Sequence, residues 1–194
     1  MKTVDFIKTL EEIGAPFFSI ADLEKITGLK RASLYVALNR WVKMGVLERV
    51  SQGGYRLYNA PFTVEKIAAA LYFPNYLSFE WALARYGLLN QIPITITFAT
   101  SRKTKRLTVS GKDVEFRHIQ PAMFWGYDLK DGLYIAKPEK ALLDQLYFVS
   151  LGKASLDEEE LNLREIPRGR FISYAKQFPP STQKLAYRLI APGD

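Results

Sequence analysis

The chain has 194 residues, 48% of them apolar, which is enough for one large or two small domains with cores of their own. Lysine and arginine outnumber aspartate and glutamate by 27 to 20, and the resulting charge of +7 favours an anionic partner without identifying it. The absence of cysteine excludes disulfides, thiolate nucleophiles and cysteine-ligated metal clusters, and one histidine, His118, leaves little basis for a catalytic triad or a histidine metal site. Residues 1–6 carry one lysine and Asp5 with no apolar run behind them, which speaks against a secretory signal. No stretch approaches the roughly 20 apolar residues of a membrane span. The expectation is a cytoplasmic protein without a membrane partner.

From residue 4 to residue 13, Val4, Ile7, Leu10 and Ile13 recur at a spacing that predicts a helix with these residues along one side, ended by Gly14. Ser19 is placed to cap a second, shorter helix in which Leu23 and Ile26 face inward, and Gly28 stops it. A third helix begins near Lys30. Leu34, Ala37, Leu38, Trp41 and Val42 form its apolar stripe, Ala32, Val36, Asn39 and Lys43 fall opposite, and Gly45 closes it. Two alternating runs, 47–50 and 55–58, flank Ser51, Gln52, Gly53 and Gly54, a composition that predicts a tight hairpin. Three helices, a short turn at Gly28 and Leu29, and a hairpin make a winged helix-turn-helix, whose third helix can enter the major groove of double-stranded DNA.

The stretch ITGLKRASLYVALNRWVKMGVLERV resembles the winged-helix regulators of bacteria and archaea over residues 26–58. Nine basic against six acidic residues give residues 1–59 a charge of +3, and most of the acids precede the third helix. Lys30, Arg31, Ser33 and Tyr35 lie at the leading end of that helix, from which base edges are read, and Val36 can touch a thymine methyl. Asn39, Arg40 and Lys43 suit phosphates, and Arg49 and Arg56 on the wing can reach backbone or minor groove. The alternative is that these charges only solvate an amphipathic helix, and Tyr35 can equally pack at its rim. One small winged module contacts little DNA, so the expected operator has two half-sites, an inverted repeat bound by a homodimer.

Asn59, Ala60 and Pro61 stop the strand alternation, and a domain boundary is expected between residues 59 and 60. Beyond it a short helix is predicted over 64–71, an aromatic loop over 72–76, and a helix capped by Ser78 and ended at Gly87. Strands are expected at 92–97, 106–109, 112–119, 122–127 and 133–136, forming an antiparallel sheet. A strong helix follows from Pro138 to residue 151, and the tail over 156–190 reads as helical with Ser181 capping its last element. Residues 60–194 are therefore a mixed α+β domain, and the chain as a whole belongs to the α+β class.

Three further stretches carry a second resemblance: YFPNYLSFEWALARYGL, VEFRHI and GYDLKDGLYIAKPEKALLDQLYF. With the winged helix they are similar to the AbiEi family of antitoxins, over residues 3 to about 150. Pro138, Glu139, Lys140, Ala141, Leu142, Leu143 and Asp144 carry one family motif as they stand. The resemblance implies a transcriptional autorepressor that also counters an AbiEii-like nucleotidyltransferase toxin encoded beside it, acting directly or indirectly, with no cofactor and no enzymatic activity of its own.

Read by their own chemistry, these motif residues have a structural explanation beside partner contact. Pro138 suits a first helical turn, Glu139 suits the positive helix end, and Ala141, Leu142 and Leu146 can face a core. The aromatics Tyr72, Phe73, Tyr76 and Trp81 divide in the same way between packing and contact. A second basic group, Arg102, Lys103, Lys105, Arg106, Lys112 and Arg117 against Asp113 and Glu115, gives residues 101–120 a charge of +4. It reads either as solvated turn charge or as an auxiliary surface for nucleic acid or an acidic partner. His118 alternates with Val114 and Phe116 and is expected in the core. The alternatives to an antitoxin are a stand-alone regulator and a magnesium-dependent nuclease built on Asp113, Glu115, Glu139 or Asp144. No phosphate-binding glycine loop is present.

Overall fold

The computed structural model describes residues 2–191, which divide into two compact units, 2–71 with 107–112 and 72–106 with 113–191. The first unit extends past the proline-marked break expected at 59–60. Arg56 donates to the Phe62 carbonyl at 3.2 Å, which ties the chain after the wing back onto it. Among the described residues no helix is long and apolar enough to cross a membrane.

In the first unit α1 (Thr3–Ile13), α2 (Ile20–Thr27) and α3 (Arg31–Lys43) precede the hairpin of β2 (Leu47–Ser51) and β3 (Gly54–Leu57). The order is that of a winged helix. The expected apolar line on α1 is corrected: Phe6 and Leu10 are buried, whereas Val4 and Ile13 are exposed. Nine residues at 100° each separate Val4 from Ile13 by half a turn, so steps of three drift off one face. Phe6 instead stacks on Trp41 of α3, with ring centroids 3.9 Å apart. On α3 the stripe Leu34, Ala37, Leu38 and Trp41 is buried, and Val42 lies at its exposed edge.

Ser19 caps α2 as expected and does more. Its hydroxyl accepts from the Asp22 backbone N–H, and the Asp22 carboxylate accepts from the Ser19 backbone N–H at 2.9 Å, a reciprocal capping box. The Ser19 hydroxyl also donates to the Asp22 carboxylate at 2.6 Å, and this bond first, then the one from the Ser19 backbone N–H, holds the Asp22 carboxyl below its ordinary pKa. Phe18 and Ser19 also form β1, which pairs antiparallel with β3 and makes the wing a three-stranded sheet in the order β1-β3-β2. A two-residue strand carries no periodicity from which to foresee it. Residues 64–71 form α4, Val64–Leu71.

The second unit is built on a sheet of β4 (Asn75–Leu77), β5 (Ile96–Thr100), β7 (Lys112–His118), β8 (Tyr127–Lys130) and β9 (Leu133–Ala136), in the order β7-β5-β4-β9-β8; of β6 (Lys105–Val109), Leu107 to Val109 group with the first unit. The β4–β5 and β8–β9 pairs are antiparallel, while β5–β7 and β4–β9 are parallel, so the sheet is mixed. The aromatic loop expected at 72–76 is corrected: Asn75, Tyr76 and Leu77 form a wholly buried inner strand, too short to announce itself as a periodic run.

The strand expected at 92–97 starts at Ile96, because Pro93 has no N–H for a ladder, and Ile92 and Ile94 are exposed. Residues 121–123 form a 3-10 turn, and the strand expected at 122–127 begins at Tyr127.

Helices α5 (Phe79–Arg85), α7 (Arg168–Ala175) and α8 (Pro180–Leu189) pack on α6 (Pro138–Ser150). The tail is thus two short helices after an irregular stretch, and Ser181 lies inside α8, whose N-cap is Pro179. Every residue of α6 from Glu139 to Phe148 is buried.

Candidate nucleic-acid interface

The turn between α2 and α3 is set locally. Gly28 takes the left-handed conformation at φ 67°, and the Thr27 hydroxyl donates to the Leu23 carbonyl at 2.6 Å while accepting from the Leu29 N–H. Lys30 then occupies the N-cap of α3 in extended conformation, with no side-chain cap, so the leading end of the helix is open and its first backbone N–H groups are unclaimed by a side chain. Burial of Leu34, Ala37, Leu38 and Trp41 fixes which face is turned out.

That outward face carries Lys30, Arg31, Ser33, Tyr35, Val36, Asn39, Arg40 and Lys43, all exposed. Val36 is 72% exposed, high for a valine on a helix whose apolar stripe is elsewhere. With Asn39, Arg40, Lys43 and Met44 it lines a shallow open depression. Tyr35 beside Arg31 and, after that, Glu24 at 4.0 Å hold the Arg31 guanidinium above its ordinary pKa. Tyr35 therefore partners Arg31 at the rim. No acidic residue occurs between Glu24 and Glu48, so the length of α3 holds basic charge without an internal counter-charge.

The two wing arginines differ. Arg49 is exposed, with its Nε donating to the Ser51 carbonyl at 3.3 Å beside an irregularity in the β2–β3 pairing. Arg56 is held inside: it donates to Glu48 Oε2 at 2.9 and 2.7 Å and to the Phe62 carbonyl, and its side chain is mostly covered.

The second basic group is not brought together as one free surface. Arg102 lies over the Tyr72 ring at 4.3 Å and donates to the Phe73 carbonyl, and Lys105 lies 4.9 Å over the same ring. Glu115 accepts from both Arg106 and Arg117; burial raises its carboxyl pKa, but these two bonds outweigh it and hold the group low. Arg117 also reaches Glu80 at 2.8 Å and lies over Phe79. Lys103 is exposed in the second unit, and Lys112 is exposed within the segment that groups with the first.

His118 is corrected from core to surface. It is the last residue of β7, exposed, with Nδ1 2.8 Å from the Arg102 carbonyl and its backbone N–H donating to Thr104.

The motif on α6 encloses a polar cluster. Lys140 and Asp144 are one turn apart and fully buried, and they pair directly. Lys140 Nζ donates to the Tyr76 hydroxyl at 2.7 Å, Tyr76 donates to Asp144 Oδ2 at 2.9 Å, and Ser78 Oγ donates to the same oxygen at 2.8 Å. Ser78 does not cap α5 with its side chain; its hydroxyl is turned to Asp144 instead. Trp125 and Phe178 close over Nζ with ring centroids 5.3 and 5.2 Å away. Gly126, at φ 77°, lets the chain pass where a Cβ would come within 3.0 Å of Lys140 Cγ. Burial pushes Lys140 down and Asp144 up from their ordinary pKa values, against their mutual attraction.

Glu139 lies in the first turn of α6, at the positive helix end as expected, and is buried there 3.3 Å from Arg170. The carboxylates considered for a nuclease do not converge, since Glu115, Glu139 and Asp144 each face a different cation. Among the described residues no three histidine, aspartate or glutamate side chains are grouped to hold a metal. A lysine and an aspartate four apart on a largely apolar helix were the visible sign of this buried pair; Tyr76 and Ser78 carried none.

Residues 5–58, from α1 to the end of the wing, match the family model described as transcriptional regulator, AbiEi antitoxin. No curated protein matches the chain. Among solved structures, a chain described as a nucleotidyltransferase from H. pylori is similar at 17% identity, with a TM-score of 0.29, over 65% of this chain and 76% of that one. A likeness at that level bears on neither fold nor activity.

Proposed function

We propose that this chain, whose residues 5–58 match the AbiEi antitoxin transcriptional regulators, is a DNA-binding autorepressor that opposes a nucleotidyltransferase toxin encoded beside it. The observation that carries the DNA-binding half is α3, buried on one stripe and basic, exposed and free of acidic residues on the other. Lys30, Arg31 and Ser33 read base edges from its leading end, Val36 meets a thymine methyl, and Tyr35 orients Arg31. Asn39, Arg40 and Lys43 hold phosphates, with Arg49 reaching the backbone from the wing. Arg56 keeps the wing in shape through Glu48. A cytoplasmic homodimer on an inverted repeat joins two such modules.

The test joins footprinting of the chain's own promoter with a growth assay. The proposal expects two protected half-sites, lost in the Arg31→Ala/Arg40→Ala/Lys43→Ala variant, and full-length chain that restores growth when the adjacent toxin is induced. Protection by that variant equal to wild type overturns the assignment to α3. Operator binding without growth rescue leaves a stand-alone regulator in its place.

A further inference from the structure

Among the described residues the two most exposed large hydrophobic side chains, Ile94 at 88% and Ile92 at 79%, flank Pro93 in the second unit. They line an open cleft together with the half-buried Leu89 and Leu156. Asp157 and Glu160 line the same cleft and belong to an unbroken acidic run, Asp157, Glu158, Glu159 and Glu160, in a chain whose net charge is +7. Of these, Glu158 pairs with Arg188 and Glu160 accepts from Gln91 Nε2 at 3.3 Å. Behind the wall, the Gln145 amide nitrogen donates to Glu80 and to the Ser155 carbonyl, both cleft residues, while its buried amide oxygen has no hydrogen-bond partner among the described residues.

Each feature narrows the occupant. Aliphatic side chains this exposed, side by side and rigidified by a proline, are a surface that gains from being covered. Acidic charge beside them repels phosphates, so the face is unsuited to nucleic acid and complementary to lysine or arginine. We propose that this cleft is the docking surface for a basic partner protein that covers Ile92 and Ile94 with aliphatic side chains and sets cationic ones against Asp157 and Glu160. The docking role rests on the antitoxin reading above and names the face of this chain that meets the toxin. The basic residues Arg102, Lys105, Arg106 and Arg117 are engaged with Tyr72 or Glu115 and are not needed for it.

The experiment measures binding of the full-length chain to the purified nucleotidyltransferase encoded beside it, with operator binding and sedimentation velocity on the same samples. Ile92→Ser/Ile94→Ser should weaken the complex on the order of tenfold or more, because the side chains are central to the contact. Asp157→Lys/Glu160→Lys should slow association roughly tenfold at low salt and much less at high salt. Both variants change exposed side chains and should keep the wild-type circular-dichroism spectrum and thermal melt, which report that the second unit folds, together with wild-type operator binding. Wild-type affinity for the toxin in both variants overturns the cleft while leaving direct neutralisation standing. A wild-type chain that does not bind the toxin overturns direct contact, and the docking role with it. Self-association that Ile92→Ser/Ile94→Ser abolishes assigns the cleft to a second copy of this chain instead.

Discussion

Helices α3 and α6 have the same length, 13 residues each, and treat charge in opposite ways. α3 buries one stripe and carries its cations outward, with no acidic residue within the helix itself, where they can meet phosphates. α6 is buried on every side from Glu139 to Phe148 and turns Lys140 and Asp144 inward, where each is the other's counter-charge. The lesson is that a motif dense in charged residues need not be a contact surface. In water an exposed ion pair contributes little, whereas inside a protein an unpaired charge is costly and a paired one specifies which elements meet. Tyr76 and Ser78 from the region of β4, joined to Asp144, fix the register of α6 against the sheet.

The sharpest way to break the comparison is to unpair the buried charges. Asp144→Ala should destabilise the chain by about 3–5 kcal/mol, because it leaves Lys140 buried without a counter-charge. Replacing both, Lys140→Met/Asp144→Leu, should recover much of that loss. Urea denaturation followed by circular dichroism checks both, and equal destabilisation of single and double variants would contradict the pairing. Neither substitution touches α3.

On α3 the expected effects are on binding and not on folding. Arg31→Ala should cost about 1–3 kcal/mol of operator affinity and relax preference at one base position. Competition binding against single-base operator variants measures it, and a uniform loss over all variants would move Arg31 to the backbone.

The smallest expected effect separates helix formation from DNA contact. Ser19→Ala removes one half of the capping box and should cost roughly 1 kcal/mol of stability. The accompanying pH dependence has a definite sign. The folded pKa of Asp22 is depressed below its ordinary value of 3.8, so its contribution is full above that value and is lost as the pH falls through the folded pKa. Thermal melts of wild type and Asp22→Asn should therefore differ at neutral pH and converge as the acid limit is approached.

How far these features were legible follows the same physics. Where a backbone demand falls on one residue type, the sequence spoke plainly: Gly28 and Gly45 end helices in left-handed conformations, and Ser19 caps α2. The continuous amphipathic face of α3 was likewise readable, because burial of its stripe determines what is exposed. What stayed hidden depends on distant partners. Ser78 looks like a helix cap until Asp144, 66 positions away, claims its hydroxyl. Arg56 looks like a wing contact until Glu48 is placed across the hairpin, and β4 is recognisable only once its neighbours in the sheet are known. Ile92 and Ile94 alternate as a strand would, yet Pro93 between them denies the ladder a donor.

The proposed function turns on the exposed basic face of α3 holding DNA phosphates. The most direct measurement is the salt dependence of operator binding for wild type and Arg40→Ala/Lys43→Ala, plotted as log K against log salt concentration. Two lost phosphate contacts should reduce the slope by about 2 and leave the folded-state melting profile in place. A variant with the wild-type slope and affinity would show that α3 does not hold the phosphates and would return its cations to the solvent.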